Sequence, residues 1–358
     1  MPQLDSLRFF AVLLVMIEHW IPHRFFPVES LFLGNSGVTF FFVLSGFLIS
    51  KILLRNKTES QGADSQPKRQ VVKNFFVRRS LRIFPIYYLC IILFLLLPFP
   101  FTDDINNNAA YYLLYLNNIL FYIQQDWQIL GHTWTLAVEE QFYLLWPWVI
   151  LFIPSKHLLK TLIGFVLLGF ASYYSLYFLS VSFGHIDLPE GFYTILTPAR
   201  FDAFALGGII AWLQMNRPDY TSKLYRVAGP ILILLLSVWF YLLTVQNGDV
   251  FFYSMKFFVV VISTFVVLIA SKGFNGILGK VLETPVLIYF GKISYGLYLF
   301  HFIISTLYER FEGGILPEIS QVGIRFMIYF SLTVLTSMLS WHYFEKPINS
   351  LKRHFKYS

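Results

Sequence analysis

The sequence predicts an all-α fold, a polytopic bundle of transmembrane helices. The 358 residues are 56% hydrophobic, only 13% are charged, and the mean hydropathy is +0.61. A soluble domain carries about a quarter charged residues, so this chain lacks the charge to cover a soluble surface. Its apolar residues also fall into separate segments of about 20, the length that an α-helix needs to cross a bilayer.

Ten segments have this length and composition, and each is predicted to be one span. They are 5–26, 33–54, 76–98, 132–153, 158–180, 197–215, 227–246, 252–271, 285–307 and 322–343. The apolar segment 109–125 is interrupted by Asn and Gln, and we expect it to lie flat at a membrane interface. We expect the whole chain, 1–358, to form a single domain.

The distribution of positive charge predicts the orientation of these spans. Of the 27 Lys and Arg residues, 20 fall in the connecting segments on the side of the N-terminus. Positively charged loops stay in the cytoplasm, so we expect both termini there. The net charge of +7 therefore reflects membrane topology, and we expect no nucleic-acid partner. On the same side, the polar stretch 55–73 is predicted to be a mobile cytoplasmic loop.

The first predicted span contains an arginine and a histidine. A charge at the bilayer centre costs about 2.5–3.5 kcal/mol, so each such group needs a reason. Arg8 and His19 lie on one helix face, with His19 about 16 Å further along the axis, or about half of the hydrocarbon core. Arg8 alone fits an anchor at the membrane surface. A histidine near the midplane that is aligned with an arginine favours a functional site.

The third predicted span begins with two arginines, Arg79 and Arg82, three residues apart on one helix face. Anchoring at the positive inner surface explains them. Paired guanidinium groups at that surface are equally suited to phosphate, which arginine binds in a bidentate manner.

The fourth predicted span carries Glu139 and Glu140. Adjacent residues point about 100° apart on a helix, so at most one of them faces the same partner as His132. Two carboxylates on one spanning helix are hard to explain as lipid-facing, and at least one should line a polar cavity.

The ninth predicted span has a polar stripe of Ser294, Tyr298 and His301 on an otherwise apolar helix. Hydrogen bonds between helices are the structural alternative to a substrate site. For three further ionisable residues a structural role explains the sequence at least as well as a functional one. They are Arg200, Asp202 and Glu345. One interpretation pairs Arg200 with Asp187 or Glu190 in the adjacent outer loop.

Seven motifs in this order resemble those of the acyltransferase-3 family. They are LDSLRFFAVLLVMIEHW, GVTFFFVLSGFLIS, FFVRRSLRIFPIYY, HTWTLAVEEQFYLLWP, RFDAFALGG, ISYGLYLFH and FEKP. Members are integral membrane enzymes that move acyl groups, usually acetyl, from acyl-CoA to acceptors such as lipopolysaccharide, peptidoglycan or exopolysaccharide sugars. The resemblance implies a multi-pass protein of the cell inner membrane.

The resemblance also implies roles for single residues. Arg8 and His19 match the family's arginine–histidine motif, with His19 as the catalytic histidine. Arg79 and Arg82 match the arginines linked to acyl-CoA binding, and Ser45 belongs to the SGF motif of the second span, so we assign it to the same donor site. Four residues occupy recurrent family positions, which we assign to catalysis (Glu139 and Glu140) and to substrate binding (Tyr298 and His301). Three positions depart mildly from the family pattern: Ser6, Thr39 and Thr135.

The predicted mechanism uses acetyl-CoA or another acyl-CoA as a cytoplasmic donor substrate, with no permanently bound cofactor and no metal. The partners are a sugar or glycan acceptor on the outer side and the lipid bilayer. His19 is expected to act as general base on the acceptor hydroxyl, and Glu139 or Glu140 would orient its imidazole. A covalent acyl-histidine is equally compatible with the sequence.

Another class of protein explains part of the same pattern. A transporter or flippase of a lipid-linked sugar or small anion would also carry intramembrane charge along its substrate path. Against it, the sequence shows no inverted repeat of the kind found in many transporters. A purely structural or sensory membrane protein would leave the glutamates of the fourth span unexplained.

Overall fold

A computed structural model describes residues 1–22, 32–59, 67–96, 103–182, 192–245 and 248–355. These ranges form helices and turns and contain no named strand; one isolated bridge pairs Glu312 with Leu316. The α-helices are α1 (Pro2–Trp20), α2 (Leu33–Glu59), α3 (Lys68–Leu96), α4 (Asp103–Asn107), α5 (Ala109–Leu113), α6 (Asn117–Gln124), α7 (Trp134–Phe152), α8 (Ser155–Ser182), α9 (Phe201–Asn216), α10 (Pro218–Val245), α11 (Gly248–Lys272), α12 (Gly276–Leu282), α13 (Pro285–Lys292), α14 (Ser294–Phe311), α15 (Val322–Ser340) and α16 (Lys346–Ser350). The predicted all-α fold is confirmed.

Six helices of the described chain are long and apolar enough to cross a membrane, or seven if the bent pair α13–α14 is one span. They are Leu33–Thr58, Lys68–Leu96, Ser155–Leu179, Pro218–Val245, Ser254–Lys272 and Val322–His354. The other three predicted spans correspond to α1, α7 and α9. Of these, α9 has only 16 residues and α1 ends at Trp20. The number of ten and the cytoplasmic termini therefore stay predictions.

The ninth predicted span, 285–307, is not one straight helix. It consists of α13 and α14, whose axes differ by 66°. The break is at Ile293, whose backbone angles are φ −89° and ψ 5°. This sparsely populated conformation ends α13, and it has no signature in a hydropathy pattern.

Both ends of the predicted loop 55–73 are helical in the structure. α2 continues to Glu59 and α3 begins at Lys68, while residues 60–66 lie outside the described part. Lys, Arg, Glu and Gln are good helix formers, so the helices extend past their apolar segments into polar sequence.

The described helices group into two compact units. The first unit comprises Met1–Lys51, Ala203–Tyr298 and Glu312–Phe330. The second comprises Ile52–Asp202, Leu299–Phe311 and Ser331–Ser358. The prediction of one domain over 1–358 stays a prediction.

In the first unit, α1 packs most extensively against α13. The two helices approach so closely that a Cβ at Gly291 would lie 1.9 Å from the Asp5 carbonyl oxygen. Two polar side chains of α1 also hold the turns beside α12. Gln3 donates to the Phe274 carbonyl (3.1 Å) and to Glu283 (2.9 Å), and Ser6 donates to the Leu282 carbonyl (2.5 Å). The first turns of α1 are thereby fixed.

In the second unit, α3 packs against α5, α7 and the C-terminal segment that follows α15. The C-terminal segment consists of a π-helical turn (Trp341–Glu345), α16 and a 3₁₀ turn (Leu351–His354). α8 packs against another 3₁₀ turn, Thr197–Arg200. A Cβ at Gly169 would lie 2.2 Å from the Asp202 amide nitrogen, so only glycine allows this contact.

The segment 109–125 forms α5 and α6 and packs within the second unit against α3 and α7. Asn117 and Asn118, the residues that interrupt its apolar pattern, are completely buried. Asn117 donates to the Thr133 hydroxyl (2.8 Å) and Asn118 to the Ile195 carbonyl (3.1 Å). These amides therefore bind protein groups, and the position of the segment in a membrane stays a prediction.

Candidate active site

The arginine of the first unit has a carboxylate partner on its own helix. Arg8 Nη1 donates to Asp5 Oδ1 at 2.5 Å, and both side chains are largely buried. Residues three apart on a helix are neighbours, so the spacing of Asp5 and Arg8 was a signal of this pair that the expectations from sequence left out.

His19 lies in the last turn of α1, and its side chain is not covered by other described residues. The preceding residue, Glu18, accepts a hydrogen bond from the Gly34 amide (2.8 Å), one of the free amides of the first turn of α2. Glu18 thus links the end of α1 to the start of α2. The imidazole of His19 lies beside this junction, and its role as the catalytic base stays a prediction.

Two residues of the SGF motif, Gly46 and Phe47, take part in the packing of α2. A Cβ at Gly46 would lie 2.0 Å from the Phe204 carbonyl oxygen, and a Cβ at Gly207 would lie 2.0 Å from that of Val43. These glycines let α2 and α9 cross closely, and Phe47 is buried beside them. Ser45 is half-buried on the same helix, and its assignment to the donor site stays a prediction.

Arg79, in the second unit, lies beside two aromatic rings and a buried carboxyl group. Its guanidinium carbon is 5.7 Å from the ring centre of Phe75 and 5.4 Å from that of Tyr143. Arg79 also interacts electrostatically with Glu140. Glu140 is 9% exposed, and its Oε1 makes no hydrogen bond within the described chain. Adjacent Glu139 is half-buried, so the structure distinguishes the two glutamates by burial.

Arg82 has a different carboxylate, Glu345, with which it interacts electrostatically. Glu345 is 4% exposed and accepts a hydrogen bond from the Ser340 hydroxyl (2.8 Å). Each arginine of the predicted donor site therefore interacts electrostatically with one buried carboxyl group from another segment.

Two further cations, Arg78 and Lys352, lie near Arg79 and Arg82. From the sequence they were counted only among the positive charges that orient the spans. Arg78 Nη1 donates to the backbone carbonyls of Lys352 (2.9 Å) and Phe355 (3.1 Å). The side chain of Lys352 interacts electrostatically with Arg78, Arg79 and Arg82. We call these four residues the basic cluster. Their separation in sequence hides the cluster, because residues 78 and 352 meet only in the folded unit.

The two residues assigned to substrate binding on α14, Tyr298 and His301, are both buried, as is Ser294. In the second unit His301 lies against His132, with ring centres 5.3 Å apart. His132 Nε2 lies 3.0 Å from the Leu299 carbonyl, which fits donation by that nitrogen. The structure therefore brings His301 together with His132, the histidine that opens the fourth predicted span.

Arg200 and Asp202 form a closed arrangement in the second unit. Arg200 interacts electrostatically with Asp202, donates through Nε to the Thr194 carbonyl (2.8 Å) and lies 5.2 Å from the Trp134 ring centre. Both side chains are at most 2% exposed. Asp187 and Glu190, the partners considered from sequence, lie outside the described residues.

The described residues include no group of three or more His, Cys, Asp or Glu side chains that could hold a metal ion. The chemistry available in this part of the chain is that of an accessible histidine, buried carboxyl groups and a cluster of cations.

Comparison with known proteins identifies the family. The model of the family described as acyltransferase domain, acyltransferase-3, matches residues 1–342. The chain belongs to the acyltransferase-3 family. The match includes every residue assigned above to the candidate site except Glu345 and Lys352.

Curated relatives of this acyltransferase-3 chain include O-acetyltransferase OatA of Staphylococcus aureus strain NCTC 8325 / PS 47. The identity is 27% over 380 residues, which cover 99% of this chain and 58% of the relative. OatA of Staphylococcus aureus strain COL matches with the same identity and coverage. The chain thus spans somewhat over half the length of the curated relatives it matches. No solved structure gave a significant match.

Proposed function

We propose that this acyltransferase-3 protein is an O-acyltransferase, and specifically an O-acetyltransferase, of the cell inner membrane. It transfers an acetyl group from acetyl-CoA on the cytoplasmic side to a hydroxyl group of an extracytoplasmic sugar. Lipopolysaccharide O-antigen and exopolysaccharide are the proposed acceptors. Support comes from the family and from relatives that are named O-acetyltransferases.

The basic cluster is the observation that carries the donor side of this proposal. Arg79 and Arg82 share one face of α3, and neither is completely buried. CoA carries a pyrophosphate and a 3′-phosphate, and arginine is the side chain best suited to bind them. In this proposal Glu140 and Glu345 hold the two guanidinium groups in place, so Glu140 acts through Arg79.

His19 is proposed to supply the base. Its imidazole takes the proton of the acceptor hydroxyl as that oxygen attacks the thioester carbonyl carbon, and the CoA thiolate leaves. The accessible position of His19 on α1 supports this role. A transient acyl-histidine would need the same residue as nucleophile.

The experiment follows release of free CoA thiol from acetyl-CoA by the purified protein in nanodiscs, with and without sugar acceptors. General-base catalysis contributes about 10²–10⁴-fold, so His19→Asn should lower turnover by that factor. His157→Asn, on an exposed histidine of α8, is the matched control and should keep normal turnover. Near-normal transfer by His19→Asn would assign the base to another residue, with His301 next.

One observation favours the transporter alternative. The α13–α14 break resembles the discontinuous helices that line substrate sites in transporters. A transporter would move a labelled sugar or anion into proteoliposomes without releasing thiol from acetyl-CoA. Thiol release that requires both an acceptor and His19 would exclude it.

A further inference from the structure

The C-terminal segment is fixed to the helix that carries the arginine pair. Two hydrogen bonds from Arg78 reach the carbonyls of Lys352, within a 3₁₀ turn, and of Phe355, directly after the same turn. Hydrogen bonds from a charged guanidinium group are stronger than those from a neutral donor. The Arg78 side chain therefore sets the position of the turn. The result is that Lys352 lies next to three arginines.

Four like charges at one place are costly unless something negative is bound there. Among the described residues, the Lys352 ammonium makes no hydrogen bond or ion pair, and the charged groups that act on it are Arg78, Arg79 and Arg82. The buried carboxyl groups in the neighbourhood, Glu140 and Glu345, interact with Arg79 and Arg82 respectively. The Lys352 ammonium thus lies half-buried beside three arginines, where a bound anion would stabilise its charged form.

Lys352 also lies outside the part of the chain that the family model matches, which ends at residue 342. Its neighbour Arg353 is also positively charged and lies in the same turn. Arg353 is exposed, however, and its Nε donates to Nε2 of His354 (3.3 Å). The turn therefore directs one of two adjacent cations to the arginines and the other to solvent.

We propose that Lys352 is a phosphate-binding residue of the donor site, held in place by Arg78, and that the C-terminal segment forms one wall of that site. This inference rests on the proposed function, since it takes the phosphates of CoA as the ligand. Phosphate groups of anionic lipids have the same chemistry, and the experiment separates the two sources.

The test measures equilibrium binding of CoA to the purified protein in nanodiscs of phosphatidylcholine alone and in nanodiscs that also contain phosphatidylglycerol. Lys352→Gln should bind CoA roughly tenfold more weakly in both, because it loses one charge-assisted hydrogen bond. Arg353→Gln should bind like the wild type, and Lys352→Arg should retain most of the affinity. High salt should shrink the difference between Lys352→Gln and wild type, because salt screens the lost attraction.

Arg78 is tested as a positioning residue by a double-mutant cycle. Arg78→Ala should weaken CoA binding as much as Lys352→Gln, and the double variant should be no weaker than either single one, since both changes remove the same contact. Additive losses would show that Arg78 does not act through Lys352.

Two results would overturn the proposal. Wild-type CoA affinity in Lys352→Gln would remove Lys352 from the donor site. An effect seen only with phosphatidylglycerol would assign the cluster to lipid headgroups. Because binding is measured without turnover, a protein that binds CoA through Lys352 but releases no thiol would refute the proposed function and leave this inference standing.

Discussion

The second unit contains two arginine sites, Arg200 and the basic cluster, which differ in charge balance and accessibility. Arg200 is at most 2% exposed, faces Asp202 and is covered by the Trp134 ring. The basic cluster instead combines three arginines and Lys352 against two carboxyl groups, and its members are only half-buried.

This contrast separates a structural from a binding role. A fully buried arginine that faces a buried carboxylate has no access for a ligand, whereas partly exposed positive charge is suited to an external anion. By the same criterion, the presence of an arginine in a motif does not by itself indicate a binding site.

The largest expected effect is on stability, at Arg200 and Asp202. Arg200→Ala should lower the free energy of unfolding by about 3–5 kcal/mol, because it leaves the Asp202 carboxylate buried without its cation. Thermal unfolding in detergent measures this loss. Arg217→Ala, on an exposed arginine, is the control and should change little. A stable Arg200→Ala variant with weakened CoA binding would refute the distinction between Arg200 and the basic cluster.

The next effect is on donor affinity, at the basic cluster. Arg79→Ala should raise the KM for acetyl-CoA by roughly 10- to 150-fold, the equivalent of about 1.5–3 kcal/mol, with little change in unfolding temperature. Arg79→Lys should restore only part of this, since lysine lacks the planar fork. An unfolded Arg79→Ala protein would mean that Arg79, like Arg200, serves the fold.

Gly46→Ala applies the same distinction to the SGF motif. The added Cβ meets the Phe204 carbonyl, so we expect a loss of about 1–3 kcal/mol in stability, measured by thermal unfolding. Gly229→Ala is the matched control, because nothing lies within 4 Å of its Cβ, and a helical alanine there should be neutral or stabilising. Normal stability with lost CoA binding would place Gly46 in the donor site.

The smallest effect is expected for residues 60–66. They are polar, have no hydrophobic anchor and lie outside every motif. A Gly/Ser linker of equal length should leave the KM for acetyl-CoA unchanged in the thiol-release assay. Complete loss of activity by a correctly inserted protein would place this segment in the donor site.

Local patterns predicted the helices and some of the site residues. Spacing placed Arg8 with His19 on α1, and Arg79 with Arg82 on α3, because helical periodicity acts over a few turns. The ends of α2 and α3 were missed, since a search for apolar segments stops where the sequence becomes polar even if the helix continues.

Other features depend on tertiary contacts, which the spacing of residues in a single sequence does not predict. The meeting of Arg78 with Lys352 joins residues 274 positions apart. Which of Glu139 and Glu140 is buried, and which carboxyl group is next to Arg82, follow from the packing of α7 and the C-terminal segment on α3. The break at Ile293 is likewise a backbone feature without a Gly or Pro at that position.

The central claim is tested most directly by two variants, His19→Asn and the double variant Arg79→Ala/Arg82→Ala. For each, both the affinity for CoA and the rate of acetyl transfer are measured. We predict that His19→Asn binds CoA with wild-type affinity but transfers acetyl at least about 10²-fold more slowly. The double arginine variant should be folded and bind CoA at least about tenfold more weakly. A folded double variant with wild-type CoA affinity would contradict the account.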